Sequence, residues 1–106
     1  MTPPDVAFCH SLEEVRANID RLDRQLVALL AERGAYVKQA AAFKKNAGEV
    51  RAPKRVEQVI DKVVALAAEH GANAHVVEQV WRAMIAGFIQ AELDEHAALQ
   101  GAQVSD

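Results

Sequence analysis

Cysteine is almost missing. Cys9 is the only one in 106 residues, so no disulfide can form within the chain and a disulfide-stapled secreted scaffold is excluded. Glycine (5) and proline (3) are scarce as well, and with 51% apolar and 25% charged residues the composition excludes a largely disordered or low-complexity chain. Long apolar runs are lacking: Leu26–Ala31 and Ala83–Ile89, the latter broken by Gly87, fall well short of the ~20 residues that span a bilayer. No excess of positive charge is present either. Twelve Lys and Arg stand against fifteen Asp and Glu, a formal charge of −3, which gives no field to attract nucleic acid, so any cationic site must be local.

The usual catalytic signatures are absent too. No glycine-rich phosphate loop and no Ser/His or Cys/His nucleophile pair is found, and His10, His70, His75 and His96 lack the i, i+4 spacing of a metal site. These histidines are expected at the surface, and no metal site is expected. The opening Met-Thr-Pro-Pro-Asp lacks the basic and apolar regions of a signal peptide, which with the lone cysteine predicts a cytoplasmic protein. At this length a single domain is expected, over residues 11–100, with flexible segments at 1–10 and 101–106.

What is present is helical periodicity. Ser11-Leu-Glu-Glu14 fits a capping box, in which a hydroxyl and a carboxylate satisfy orphan N–H groups at a helix start. From there Leu12, Val15, Ile19, Leu22, Leu26, Leu29, Arg33, Tyr36, Ala40 and Phe43 follow steps of three and four, an unbroken helical seam to about residue 46. Such a helix would be ~52 Å long, whereas a compact chain of this size is only ~33 Å across. Its own chain cannot cover it. Asn46–Arg51 reads as a loop, Pro53 suits the first turn of a second helix, and His70-Gly71 supplies its stop. Asn73 can cap a third helix carrying Val77, Val80, Trp81, Met84, Ile85, Phe88, Ile89 and Leu93, which frays near Gly101. The predicted fold is all-α, with three helices per chain and a long first helix, assembled as an intertwined helical homodimer.

Several charges stand where a core should be. Arg33 occupies a seam position and requires an anion, either a carboxylate such as Glu32 or Glu92 or a bound ligand. Lys44, eleven residues on, returns to nearly the same azimuth and either converges with Arg33 on one ligand or is solvated at the helix end. Lys54 and Arg55, with Arg51 just upstream, sit at a helix start where the dipole disfavours cations. They mark either an anion site or a basic surface turn. Arg16 lies ~26 Å from Arg33 along the helix, so it either pairs with Asp20 or reaches a shared ligand across a dimer axis. Glu92 continues the stripe Trp81, Ile85, Phe88 and points a carboxyl toward the core, as one half of an ion pair or as a catalytic group.

The order of these residues resembles a known family. Leu-Glu-Glu-Val-Arg16-Ala-Asn-Ile-Asp-Arg-Leu-Asp, then Leu-Leu-Ala-Glu-Arg33, Phe-Lys44, Arg-Ala-Pro-Lys-Arg55-Val and Ile-Gln-Ala-Glu92 are similar to the all-helical chorismate mutases. That family includes the bacterial isochorismate-pyruvate lyases. The resemblance covers residues 11 to 100 and implies intertwined dimers with active sites shared between chains. It further implies that Arg33, Lys44 and Arg55 of one chain and Arg16 of the other bind a small cyclic dicarboxylate. Lys44 and Glu92 would flank its ether oxygen, Val56 and Phe88 would line the site, and residues 45–52 would close over it. The implied activity is conversion of chorismate to prephenate without a cofactor. At Val56, where many mutases place a glutamate, the resemblance leans toward the lyases and salicylate with pyruvate as products. At Glu92 it leans the other way, since the bacterial enzymes carry glutamine there and some eukaryotic mutases glutamate. A helical dimerisation module without activity is the remaining reading, and it leaves Arg33 and the Lys54-Arg55 helix start unexplained.

Overall fold

The computed structural model describes residues 6–104, with side chains to residue 98; Met1–Asp5, Ser105 and Asp106 lie outside the described residues. Four helices follow one another: α1 (Leu12–Ala41), α2 (Ala47–Arg51), α3 (Pro53–His70) and α4 (Ala74–Val104). The three long ones match the three read from the sequence. The intervening loop proves to contain the five-residue α2.

Capping sets the helix starts. The Ser11 hydroxyl accepts from the Glu14 N–H at 3.1 Å, and the Glu14 carboxylate reaches back to the His10 N–H at 2.8 Å, a capping box displaced by one residue on its acidic side. Val6–His10 enter α1 without helical structure, with the Phe8 and His10 rings edge to face at 5.2 Å. Asn46 caps α2 by accepting from the Glu49 N–H, and Asn73 caps α4 by accepting from the Val76 N–H. α3 ends as expected at Gly71, whose φ of 70° allows the Ala72 N–H to reach the Ala67 carbonyl at 2.8 Å. α4 continues past Gly101, where fraying was expected, to Val104.

The first helix is shorter than its seam. It stops at Ala41, where the N–H groups of Ala42, Phe43 and Lys44 turn to carbonyls three residues back. Phe43 thereby leaves the seam and is 85% exposed. Even so, 30 residues make a rod about 45 Å long. Between Leu12 and Glu32 every residue but Asn18 is exposed, and the seam residues Val15, Ile19, Leu22, Leu26 and Leu29 are each 39–61% accessible. The radius of gyration is 17.9 Å, against ~13 Å for a compact chain of about this length. Only the last part of α1 packs, against α4. There Gly34 lets the helices approach, since a Cβ at that position would sit 2.9 Å from Cε1 of Phe88.

The small core forms where α2, α3 and α4 meet the end of α1, around Ala41, Val50, Ile60, Val63, Ala67 and Ile85. On the outer side of that junction Arg82 of α4 holds Glu57 of α3 through two hydrogen bonds of 2.9 and 3.0 Å. This bonding, more than simple charge attraction, keeps the Glu57 carboxyl below its ordinary pKa. The pair's small contribution is present above the ordinary carboxylate range and is lost as pH falls through the lowered value.

Between α2 and α3 the chain turns at Ala52, whose φ of 35° and ψ of 63° are left-handed. An alanine there is strained by ~1–2 kcal/mol, more than the ~0.4–1 kcal/mol that glycine loses through its freer unfolded chain. Ala52→Gly is therefore expected to raise the melting temperature slightly, and a clear drop in a thermal melt would contradict the left-handed turn.

Candidate active site

A pocket of about 300 Å³ opens where α1, α2, α3 and α4 converge. Each wall supplies charge from a position the local fold dictates. Arg33 stands on the last packed stretch of α1, and Lys44 follows in the non-helical link after it. Arg51 is the last residue of α2 and Arg55 lies in the first turn of α3, the left-handed turn at Ala52 bringing both to one wall. The first turn of α3 has neither a side-chain cap nor an acidic residue, so the positive end of its dipole adds to the same wall. Val37, Ala40, Val50, Val56, Val59, Ile85 and Ile89 provide apolar lining between the charges. Four cationic side chains face one carboxylate, Glu92, in a protein whose overall charge is negative.

Glu92 does not remain available to the others. Residues 85, 88, 89 and 92 share one face of α4, and this places the Glu92 side chain, 4% exposed, beneath Lys44. Lys44 Nζ donates to Glu92 Oε1 at 2.7 Å while the lysine side chain keeps 27% of its surface accessible. An ammonium has three N–H donors, so the pair satisfies the buried carboxylate and leaves donors directed at the pocket. The buried ion pair read for Glu92 from the sequence is formed, with Lys44 as its partner.

Arg33 takes a different support. Its guanidinium carbon lies 5.2 Å from the centre of the Phe88 ring, a cation–π contact made possible by the missing Cβ of Gly34. Neither Glu32 nor Glu92 pairs with it, and among the described residues it makes no ion pair. Stacking orients the guanidinium without consuming its donors. The anion it requires is thus still to be supplied.

Of the residues singled out in the sequence, Arg33, Lys44, Arg55, Val56, Phe88 and Glu92 line this one pocket. Arg16 does not; it lies exposed near the far end of α1 and makes no ion pair with Asp20. Lys54 is exposed and outside the lining, so only Arg55 of the basic helix start faces the site. Sequence reasoning noted Arg51 only as a neighbour of that start, and it passed over Tyr36, which also lines the pocket. His96, expected at the surface, is buried, with Nε2 2.9 Å from the Lys44 carbonyl oxygen. Among the described residues no group of three or more His, Cys, Asp or Glu could hold a metal ion, and no helix is long and apolar enough to cross a membrane.

Fold and site together define an all-helical protein with a small pocket lined by four cationic side chains and one carboxylate. Residues 15–93 match the chorismate mutase type II family, and the chain belongs to that family. Among curated proteins it is 33% identical over 101 residues to the isochorismate pyruvate lyase of Pseudomonas aeruginosa, covering 95% of this chain and 97% of that protein. It is 28% identical over 75 residues to the chorismate mutase of Methanocaldococcus jannaschii, covering 70% of this chain and 76% of that one.

The Lys44–Glu92 pair makes a measurable demand on stability. Removing Lys44 leaves a buried carboxylate without its partner, a change that costs ~3–5 kcal/mol when both groups are buried and less for a lysine still partly wet. Chemical denaturation of Lys44→Met is expected to show a loss near ~3 kcal/mol, most of it recovered in the Lys44→Met/Glu92→Gln double variant. Equal stability of Lys44→Met and wild type would mean the pair is not formed.

Proposed function

We propose that this pocket binds chorismate and rearranges it to prephenate. The observation that carries the reading is the convergence of Arg33, Lys44, Arg51 and Arg55 on one partly apolar pocket whose single carboxylate is already occupied by Lys44. In the reaction the ether C–O bond breaks while a C–C bond forms in one cyclic movement of electrons. No proton is transferred, nothing is oxidised, and no nucleophile is needed.

The protein's contribution is then positioning and charge. Arg33 and Arg55 hold the substrate carboxylates and keep the enolpyruvyl arm folded over the ring, which removes most of the entropy of reaching the reactive conformer. Lys44 meets the negative charge that develops on the ether oxygen. Glu92, by accepting from Lys44, acts as its anchor and does not donate to the substrate. Val56 and Phe88 pack against the ring, and the segment 45–52 closes the mouth and excludes water.

A second copy of the chain completes the site. The exposed apolar stripe of α1 requires a cover of matching length, and an antiparallel α1 from an identical chain supplies one. The same pairing brings the partner's exposed Arg16 toward this pocket, where it adds a further carboxylate contact. A cytoplasmic setting fits the lone Cys9.

A second reading, isochorismate to salicylate and pyruvate, is favoured by a specific observation. Val56 follows Arg55 where many mutases carry a glutamate for the ring hydroxyl, and the relative matched over nearly its whole length is the lyase. That reaction is also pericyclic. A ring hydrogen passes to the departing enolpyruvyl group as the C–O bond breaks, and the same cations serve it.

Incubating the purified protein with chorismate and, separately, with isochorismate tests both readings. Prephenate is the product expected from the first and salicylate with pyruvate from the second; turnover of neither would return the chain to a non-catalytic dimerisation module. With the active substrate, Lys44→Ala is expected to lower kcat by ~10²–10³-fold, because its contact strengthens in the transition state. Arg55→Ala should raise KM as well, because a carboxylate contact exists already in the ground state.

A further inference from the structure

His96 is a buried ionisable residue that the chemistry above leaves unused. It lies on α4 one turn beyond Glu92, is 9% exposed, and places Nε2 2.9 Å from the Lys44 carbonyl oxygen. A carbonyl only accepts, so Nε2 carries the hydrogen and the ring donates. Lys44 belongs to the non-helical link between α1 and α2, where its carbonyl has no helical partner and this donor satisfies it. Consecutive turns of α4 therefore grip one residue at both ends, Glu92 at the ammonium and His96 at the main chain.

The two contacts do different work. The Lys44–Glu92 ion pair holds the tip of a long lysine side chain to a buried carboxylate, and leaves unfixed the main chain from which that side chain springs. The bond to the main chain removes that freedom at its root. The link's other hydrogen bonds, from the N–H groups of Ala42, Phe43 and Lys44 to carbonyls at the end of α1, from Lys45 N–H to the Glu49 carboxylate, and from Glu49 and Val50 N–H to Asn46, are local and do not tie it to α4.

We propose that His96 is a positioning residue for Lys44: by donating to the Lys44 carbonyl it fixes the backbone from which the ammonium enters the pocket. The inference rests on the reading of Lys44 as the group that meets the ether oxygen. A displacement of about 1 Å at such a group can lower turnover by ~10²-fold, so loss of this anchor shows in kcat.

Wild type, His96→Leu and His96→Gln separate this role from simple packing. Leucine fills much of the space without a donor, while the amide nitrogen of glutamine reaches about as far as imidazole Nε2 and donates. For each protein, kcat and KM are measured with chorismate and with isochorismate, and amide hydrogen exchange is followed over residues 42–50. His96→Leu is expected to lower kcat ~10–100-fold with KM changed less than about threefold, and to speed exchange in that segment. His96→Gln is expected to recover most of both. Should His96→Leu not fold, His96→Phe, a ring without a donor, takes its place. A donor-free variant with wild-type kcat and wild-type exchange, or a glutamine variant as impaired as leucine, overturns the proposal. If wild type turns over neither substrate, the assigned reaction fails separately. Exchange then decides alone: faster in the donor-free variant and restored by glutamine supports the positioning role, and no difference overturns it.

Discussion

A helix about 45 Å long, with an apolar stripe that its own chain leaves open, is the constraint from which the architecture follows. Val15, Ile19, Leu22, Leu26 and Leu29 are roughly half covered in the single chain. Completing their burial is worth on the order of 5 kcal/mol per chain, comparable with the whole stability of a small domain. The core at the other end, around Val50, Ile60, Val63 and Ile85, is small. Magnitudes of this size are the ground for proposing a second copy, and with it a role for a residue as distant as Arg16 beside Arg33.

At the packed end of that helix the problem is electrostatic. Four cations crowd one pocket in an acidic protein, and each is held by something other than a competing surface carboxylate. Phe88 stacks beneath Arg33, Glu92 and His96 hold Lys44, and the left-handed turn at Ala52 aligns Arg51 with Arg55. Supporting cations by an aromatic face, by one buried acid and by backbone geometry leaves their donors for a ligand. The arrangement costs stability, through like-charge repulsion and the strain at Ala52, and the repulsion is what the proposed dianionic substrate would relieve.

Much of this was legible in the sequence where a side chain broke its own pattern. Arg33 in an apolar seam and Glu92 on an apolar stripe announced themselves as charges in need of partners, and Ser11, Gly71 and Asn73 announced the helix ends by their capping chemistry. The end of α1 at Ala41 was not legible, because Gln39–Ala42 are all compatible with helix and no capping residue or proline marks the stop. Nor was α2, since five residues are too few for periodicity to register, and with it went Arg51 as a wall of the pocket. His96 was missed for a different reason: its partner is a main-chain carbonyl, which has no signature in the residue types. Gly34 gave no warning of its role, because a glycine that admits a neighbouring ring looks in sequence like any weak point in a helix.

The central claim is that the surface demanding a second chain is also what completes the site, and mixing two inactive variants tests it most directly. Arg16→Ala and Arg33→Ala chains, refolded together in equal amounts, form mixed dimers in which one site has lost both arginines and the other has lost neither. Random pairing should return roughly a quarter of wild-type activity, where each variant alone has almost none. Activity that stays at the level of the separate variants, with mixed dimers shown to be present, would contradict the claim that Arg16 acts across the interface.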